Sequence, residues 1–262
     1  MEIIGNANSY NLVSLSTDGR LCIWNLDKLN QPQESLDLYM LLDLNEDSKL
    51  RKDIAAFAMA FPFGEANRFF VGSEDGSVYI ANKQAGGKIG INDKYEGHTG
   101  PITSIDFHPP GQLDGFTELF LTSSMDWTVK LWSQKSLKPI FSFEEYDEYV
   151  YDARWSPIHP ALFATVDGLG RLRLWNINEN SEQPIFSAEI GNKASALNRL
   201  RWSADGKKII VGNSIGNLFV YELDSQVCVP FLFSACFFRL ISSSSSSSSL
   251  HSLKQMIGKD SK

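Results

Sequence analysis

The stretch Ser124-Met125-Asp126-Trp127-Thr128-Val129-Lys130-Leu131-Trp132 joins a tight polar turn to an alternating strand that ends at an aromatic residue. The same order of turn, alternating strand and terminal anchor recurs four more times, at residues 16–24, 73–81, 170–175 and 216–221. The anchors at positions 24, 81, 132, 175 and 221 are separated by 57, 51, 43 and 46 residues. Self-similarity at such a spacing predicts an array of similar structural units.

Each unit contains further strand-like segments before this phrase. A mostly apolar run precedes each of the last three turns, at residues 119–122, 161–165 and 209–212, and an alternating segment closed by a Pro or Gly turn precedes that run. A variable outer strand is expected to follow, as at residues 139–143 and 184–188. Four strands per unit at a period of about 40–45 residues are typical of the WD-repeat β-propeller. We therefore predict an all-β WD-repeat propeller with five blades.

Composition narrows the functional class. The 262 residues are 43% hydrophobic, as suits a packed body, and their formal net charge is −7 with a pI of about 5.2. An acidic chain is a poor partner for nucleic acid or an anionic membrane, since both favour basic surfaces. The N-terminus lacks the pattern of a secretory signal, and the three cysteines lack metal-ligand spacing, which favours a reducing, intracellular compartment.

His98, Ser124 and Asp126 are the residue types of a hydrolase triad, and this possibility has to be weighed. Ser124 lies two residues before Asp126 near a strand end, and no Gly-x-Ser-x-Gly elbow surrounds it. Together with Trp132, these residues instead match a buried hydrogen-bonded network that ties the turns of a blade together. Buried polar groups must be paired, and such a network pairs them. We expect a structural role and no enzymatic activity.

The other repeats retain this network only in part. The residues that remain are Ser16, Asp18 and Trp24 in the first repeat, Ser73 and Asp75 in the second, and Trp175 in the fourth. Leu169 and Ile215 replace the aspartate in the fourth and fifth repeats. We therefore expect those two blades to depend on apolar packing more than on the network. No metal site and no cofactor are expected, since neither the histidines nor the glycines have the required spacing.

Two segments interrupt the pattern. Residues 36–52 lie in the longest interval between anchors, and we interpret them as an outer strand followed by an acidic loop. Residues 231–241 form a short apolar run, too short to span a bilayer, and Ser242 to Ser249 form a serine tract. We predict a propeller region at residues 1–226 and a divergent, disordered tail at residues 227–262.

Several segments are more specific than a generic WD repeat. The sequence at residues 123–132, 149–152, 155–164, 167–172 and 196–202 resembles the cytoplasmic dynein intermediate chains, with further matches at residues 11–19, 71–76 and 96–98. The resemblance runs from about residue 6 to residue 230. Axonemal dynein intermediate chains and a generic WD-repeat adaptor are the alternatives.

The resemblance implies a non-catalytic subunit of a cytoplasmic motor that moves on microtubules. In that family the propeller binds the dynein heavy chain, and a long N-terminal arm binds light chains and dynactin. That arm has no counterpart in these 262 residues, so those two sites are assigned to no residue here. The resemblance also implies a ring of about seven blades, of which this chain supplies about five.

Overall fold

A computed structural model describes residues 1–6, 9–45, 48–84, 88–110, 116–191, 195–223 and 238–240. Within these residues, strands dominate and the sole helical segment is a single 3-10 turn at Phe116–Glu118. Five antiparallel four-stranded sheets follow one another along the chain, and in each the strands are hydrogen-bonded in sequence order. The predicted all-β propeller with five blades is confirmed.

The strands of the five blades are numbered in chain order. Blade 1 contains β1 (Glu2–Asn6), β2 (Ser9–Leu15), β3 (Arg20–Asn25) and β4 (Glu34–Asp37), and blade 2 contains β7 (Ala56–Ala60), β8 (Arg68–Ser73), β9 (Val78–Gln84) and β10 (Lys88–Tyr95). Blade 3 contains β11 (Ile102–Phe107), β12 (Leu119–Ser124), β13 (Val129–Ser133) and β14 (Ser136–Phe143), and blade 4 contains β15 (Val150–Trp155), β16 (Leu162–Asp167), β17 (Arg171–Asn176) and β18 (Phe186–Glu189). Blade 5 contains β19 (Leu197–Trp202), β20 (Lys208–Asn213), β21 (Leu218–Leu223) and β22 (Phe238–Leu240).

Consecutive blades pack face to face and bury one apolar layer between each pair. The alternation of side chains along a strand decides which layer a residue enters. On β16, Phe163 packs toward blade 3, whereas Ala164 and Val166 pack toward blade 5. The second strand of a central blade is therefore buried on both faces, which explains why it is mostly apolar instead of alternating.

The repeat is also visible in the aromatic side chains. In blade 3, Phe120 stacks on Trp132 across the β12–β13 pair, with ring centroids 6.1 Å apart and planes at 8°. In blade 4, Phe163 stacks on Trp175 in the same way, at 5.9 Å and 2°. These four rings are fully buried. Trp132 and Trp175 thus anchor blades 3 and 4 from the inside.

The outermost blades each leave one face partly uncovered. Ala164 and Leu172 in blade 4 are buried against blade 5, but their counterparts in blade 5, Ile210 and Leu218, are 39% and 73% exposed. At the other end, Trp24 of blade 1 is half-buried, unlike its buried equivalents in blades 3 and 4. The array therefore ends in apolar sheet faces that water reaches.

The interpretation of residues 36–52 as an outer strand and an acidic loop is wrong in its second half. After β4, the chain forms a separate hairpin of β5 (Tyr39–Asn45) and β6 (Ser48–Asp53). A cross-strand contact stabilises this hairpin, since the Arg51 guanidinium of β6 lies over the Tyr39 ring of β5 at 4.4 Å.

The predicted boundary near residue 226 lies outside the described residues, as does the serine tract. The described part of the predicted tail is Phe238–Leu240, whose backbone pairs with β21 and completes the blade 5 sheet as its fourth strand. The two-part division of the chain stays a prediction.

The exposed blade faces predict the behaviour of the isolated chain. Exposed apolar sheet faces favour association, so the purified chain is expected to aggregate. The double variant Ile210→Lys with Leu218→Lys should increase the monomer fraction, because it places charge on the uncovered face of blade 5. Size-exclusion chromatography with light scattering measures this fraction. Leu137→Lys, at an exposed position on β14, is the matched control, and a monodisperse wild-type monomer would contradict the prediction.

Candidate functional site: the polar networks of the blades

Blade 3 contains a hydrogen-bonded chain of four buried or half-buried side chains. Trp132 Nε1 donates to Thr122 Oγ1 at 2.8 Å, Thr122 Oγ1 lies 2.7 Å from His98 Nε2, and His98 Nδ1 lies 2.8 Å from Asp126 Oδ2. Asp126 also accepts the backbone N–H groups of Thr99 and Thr128. The network joins strand β12 to the loop before β11 and to the β12–β13 turn.

Burial favours a neutral His98 in this chain. The Thr122 hydroxyl accepts from the Trp132 indole N–H, which can only donate. With His98 neutral, Thr122 gives its own proton to His98 Nε2, and His98 Nδ1 donates to the Asp126 carboxylate. Burial lowers the pKa of His98, which agrees with the neutral form. Burial raises the pKa of Asp126, but its interactions with His98, Thr128 and the Thr99 N–H together outweigh burial and hold that pKa well below its usual range.

The network includes Thr122 where the sequence analysis placed Ser124. Ser124 Oγ instead donates to the Gly100 carbonyl at 2.9 Å and accepts the Asp126 N–H at 3.1 Å. One residue, Ser123, separates these positions on β12, so both side chains are on the same face, and Thr122 is the one level with the Trp132 indole. Ser124 shapes the turn and does not contact the His98 imidazole. This separation is also unlike a catalytic triad, in which the serine must reach the imidazole.

Blade 1 keeps two separate fragments of the network. Trp24 Nε1 donates to Ser14 Oγ at 2.8 Å, and Asp18 Oδ1 accepts the Arg20 N–H at 3.0 Å. Ser16 contributes its backbone to the turn, where its carbonyl accepts the Gly19 N–H. These contacts form two local groups that are not joined through a histidine, and the structural role predicted for Ser16, Asp18 and Trp24 stays a prediction.

Blade 2 holds its aspartate with different partners. The Tyr79 hydroxyl donates to Asp75 Oδ2 at 2.7 Å, and Lys52 Nζ lies 3.5 Å from the same oxygen. Burial and this hydrogen bond raise the pKa of Tyr79 to about 12. Ser73, like Ser16, closes its turn through the backbone. Lys52 comes from the hairpin strand β6, so the unexpected hairpin supplies a partner to the blade 2 turn.

Blade 4 has a polar network of its own in addition to its apolar packing, and the expectation that apolar packing matters more in this blade stays a prediction. Trp175 Nε1 and the Tyr146 hydroxyl both donate to Thr165 Oγ1, at 3.3 and 3.0 Å, so Tyr146 takes the place of the histidine. Arg173 donates to Asp167 at 2.8 Å, and both side chains are buried. The Arg173 guanidinium also lies 4.7 Å from the centre of the Tyr146 ring. Loss of the usual aspartate at Leu169 is thus compensated by a second buried network.

Blade 5 has a reduced version. Val211, fully buried, occupies the position of Thr122 and Thr165, and Asn213 closes the turn by accepting the backbone N–H groups of Ile215 and Asn217. Its side-chain amide also donates to Ser195 Oγ at 3.3 Å. This blade has an apolar side chain where blades 3 and 4 have the bridging hydroxyl.

A second polar system, missed by the sequence analysis, links the inner strands of blades 3, 4 and 5. We call it the inner-strand ladder; its side chains are Ser104, Asp106, Asp152, Arg154, Arg199 and Arg201. Asp106 accepts the Trp155 N–H at 2.8 Å, and the buried Asp152 accepts the Leu200 N–H at 3.0 Å. Arg154 binds both carboxylates, at 3.0 and 2.9 Å. The ladder therefore joins side chains of one blade to the backbone of the next.

Burial and charge pairing act against each other in the ladder, which holds two carboxylates and three guanidinium groups. Burial raises the pKa of Asp106 although Arg154 is adjacent. Burial opposes the charge on Arg154, but Asp152 and Asp106 raise the pKa of its guanidinium. A signal for these residues exists in the sequence, at fixed positions before the aromatic residue that ends each inner strand, Phe107, Trp155 or Trp202. Three positions before it stand Ser104, Asp152 and Arg199, and one position before it stand Asp106, Arg154 and Arg201. Carboxylates held by both backbone N–H groups and guanidinium groups suit a structural role.

No further chemistry is visible in the described residues. They contain no group of three metal-ligating side chains, and no helix among them is long and apolar enough to cross a membrane. Both ring nitrogens of His108 are engaged by backbone carbonyls, at 2.8 Å each. What these networks do is fix the turns and the spacing of the blades.

Comparisons with known proteins agree with this architecture. Residues 91–133, which include β11 to β13, match the family model "WD domain, G-beta repeat". The chain is 46% identical over 230 residues to the cytoplasmic dynein 1 intermediate chain of Drosophila melanogaster. The resemblance to the cytoplasmic dynein intermediate chains is confirmed. The match takes in 88% of this chain and 33% of that relative, so this WD-repeat chain spans about a third of the relative's length.

The bridging hydroxyl of blade 3 can be tested directly. Thr122→Val keeps the shape of the side chain but leaves His98 and Trp132 without their shared partner, so it should lower the free energy of unfolding by about 1–3 kcal/mol for each of them. Thr117→Val, at an exposed position, is the matched control and should be nearly neutral. Urea denaturation measures both, with each substitution made in the Ile210→Lys, Leu218→Lys background that raises the monomer fraction. Equal stability of the two variants would contradict the network.

The His98 imidazole predicts a dependence of stability on pH. The unfolded chain binds a proton at this residue with a pKa of about 6.5, whereas the folded chain resists protonation. Its contribution is therefore complete above about pH 6.5 and is lost as the pH falls below that value. The decrease in melting temperature between pH 7.5 and pH 5.5 should be smaller in His98→Asn than in the wild type. A larger decrease in the variant would overturn this assignment.

Proposed function

We propose that the chain is a non-catalytic subunit of a cytoplasmic dynein motor, in which the propeller is a rigid scaffold that binds the dynein heavy chain. The observation that supports this best is the identity of 46% over 230 residues to a cytoplasmic dynein 1 intermediate chain. Because the match extends over 88% of the chain, it takes in most of the blade array and not one isolated repeat. On this proposal the protein works in the cytoplasm on microtubules, with other dynein subunits as further partners.

The polar networks support a scaffold rather than an enzyme. In blade 3 the imidazole of His98 is engaged at both nitrogens, and in the inner-strand ladder both carboxylates are occupied by N–H donors and by Arg154. A general acid or base must be able to reach substrate with a proton to exchange, and these groups are held by structural partners. A surface fixed in this way is well suited to binding, since little order has to be gained on association.

Affinity isolation tests the proposal. The endogenous protein, tagged in its own cells, should recover dynein heavy chain in comparable molar amount, measured by quantitative mass spectrometry. Thr122→Val should lower the recovery in proportion to its loss of folded protein, whereas Thr117→Val should not.

The identity of the recovered proteins distinguishes the alternatives. Axonemal heavy chains in place of the cytoplasmic one would indicate an axonemal intermediate chain. Recovery of a ubiquitin ligase or signalling complex without any dynein subunit would contradict the proposal and indicate a generic WD-repeat adaptor.

A further inference from the structure

One turn of the propeller has a different type of residue at its left-handed backbone position. The residue that follows the aspartate position of the β-turn is glycine in four blades, with φ of +81° at Gly19, +80° at Gly76, +78° at Gly170 and +91° at Gly216. In blade 3 the same position is Trp127, with φ of +66°. It is the one residue other than glycine with positive φ in the described part of the chain.

The fold does not account for this tryptophan. A side chain in the left-handed region costs free energy because its Cβ crowds the neighbouring carbonyl. Burial of the indole would offset that cost, but Trp127 is 48% exposed. Glycine, present in every other blade, would satisfy the turn without strain. A bulky, exposed aromatic held at a strained position indicates a role outside the fold, and tryptophan is enriched among the residues that dominate binding energy.

The surroundings of Trp127 are acidic and aromatic. Val129 pairs with Phe143, so the turn lies beside the segment that follows Phe143, which reads Glu144-Glu145-Tyr146-Asp147-Glu148-Tyr149. Glu144 and Glu145 are exposed and form no ion pair within the described residues, whereas Asp147 binds Arg171 at 2.7 Å. The neighbouring carboxylates are therefore only partly neutralised.

The surface continues onto blade 4. The Tyr149 carbonyl accepts the Gly168 N–H at 2.9 Å, which ties this segment to the β16–β17 turn. Tyr149 and Leu169 are exposed there, at 42% and 37%. The two turns and the segment between them thus lie at the same end of two adjacent blades. We call this end the Trp127 surface; its residues are Trp127, Glu144, Glu145, Tyr149 and Leu169.

We propose that the Trp127 surface is a docking site for a protein segment rich in lysine or arginine. Charge complementarity favours this partner, since the carboxylates attract cations and steer the encounter. The faces of Trp127 and Tyr149 suit the same partner, because ammonium and guanidinium groups bind the electron-rich face of an aromatic ring. The methylene groups of the segment's lysine and arginine side chains would cover Leu169. The proposal goes beyond the proposed function, since it holds whichever protein contains the basic segment.

Photo-crosslinking in cells tests the chemistry of the partner. The photoreactive residue benzoyl-phenylalanine, substituted for Tyr149 in the full chain, should crosslink to segments of net positive charge, identified by mass spectrometry. Phe63, an exposed aromatic in the β7–β8 turn at the opposite end of its sheet, is the matched control position and should not select such segments. Crosslinks to neutral or acidic segments, to a second copy of this chain, or to nothing would overturn the proposal.

Trp127→Gly separates binding from folding. Because glycine adopts this backbone conformation without strain, the melting temperature should be unchanged or higher, whereas the yield of the Tyr149-site crosslink should fall about tenfold or more. Phe63→Ala should leave the yield unchanged. An undiminished crosslink in Trp127→Gly would overturn the proposal. The charge reversal Glu144→Lys with Glu145→Lys, at exposed positions, should also lower the yield, and this second variant decides the matter even if Trp127→Gly is unstable.

Discussion

Face-to-face packing between consecutive blades is the constraint on which the rest of the structure depends. A single four-stranded sheet has two faces, and each central blade buries both, so its second strand is mostly apolar. Phe163 enters one layer and Ala164 the next, a separation that follows from the period of two along a strand. Every turn and every polar network is then positioned by sheets whose spacing the packed side chains have fixed.

The fold could be predicted from the sequence because its determinants are local and repeated. Each anchor phrase joins a polar turn to an alternating strand, and five copies in series leave few architectures other than a propeller. The hairpin at β5 and β6 was not predictable in this way, because it occurs once and has no other copy for comparison. Its cation–π contact between Arg51 and Tyr39 depends on a cross-strand register that no repeat in the sequence reveals.

The sequence predicts the type of polar network found in blade 3 but not all of the residues that form it. His98, Asp126 and Trp132 were identified, whereas the hydroxyl between them was assigned to Ser124 in place of Thr122. A usable signal was present, since a hydroxyl precedes each tryptophan anchor by ten residues, in Ser14, Thr122 and Thr165. Where the anchor is not tryptophan, this position is Val71 or Val211. Tyr146 and the Asp167–Arg173 pair in blade 4 could not be inferred from blade 3, because different side chains meet the same requirement that buried polar groups be paired.

The inner-strand ladder gives the array a direction. In its contacts to backbone N–H groups, the accepting side chain belongs to the earlier blade. Ser104 and Asp106 of blade 3 accept the N–H groups of Ala153 and Trp155 of blade 4. Asp152 of blade 4 accepts the N–H group of Leu200 of blade 5. A ribosome releases the blades in that same order. Blades 3 and 4 thus emerge with side-chain acceptors for the blade that follows each of them. The order in which these contacts become available is the order in which the chain is synthesised.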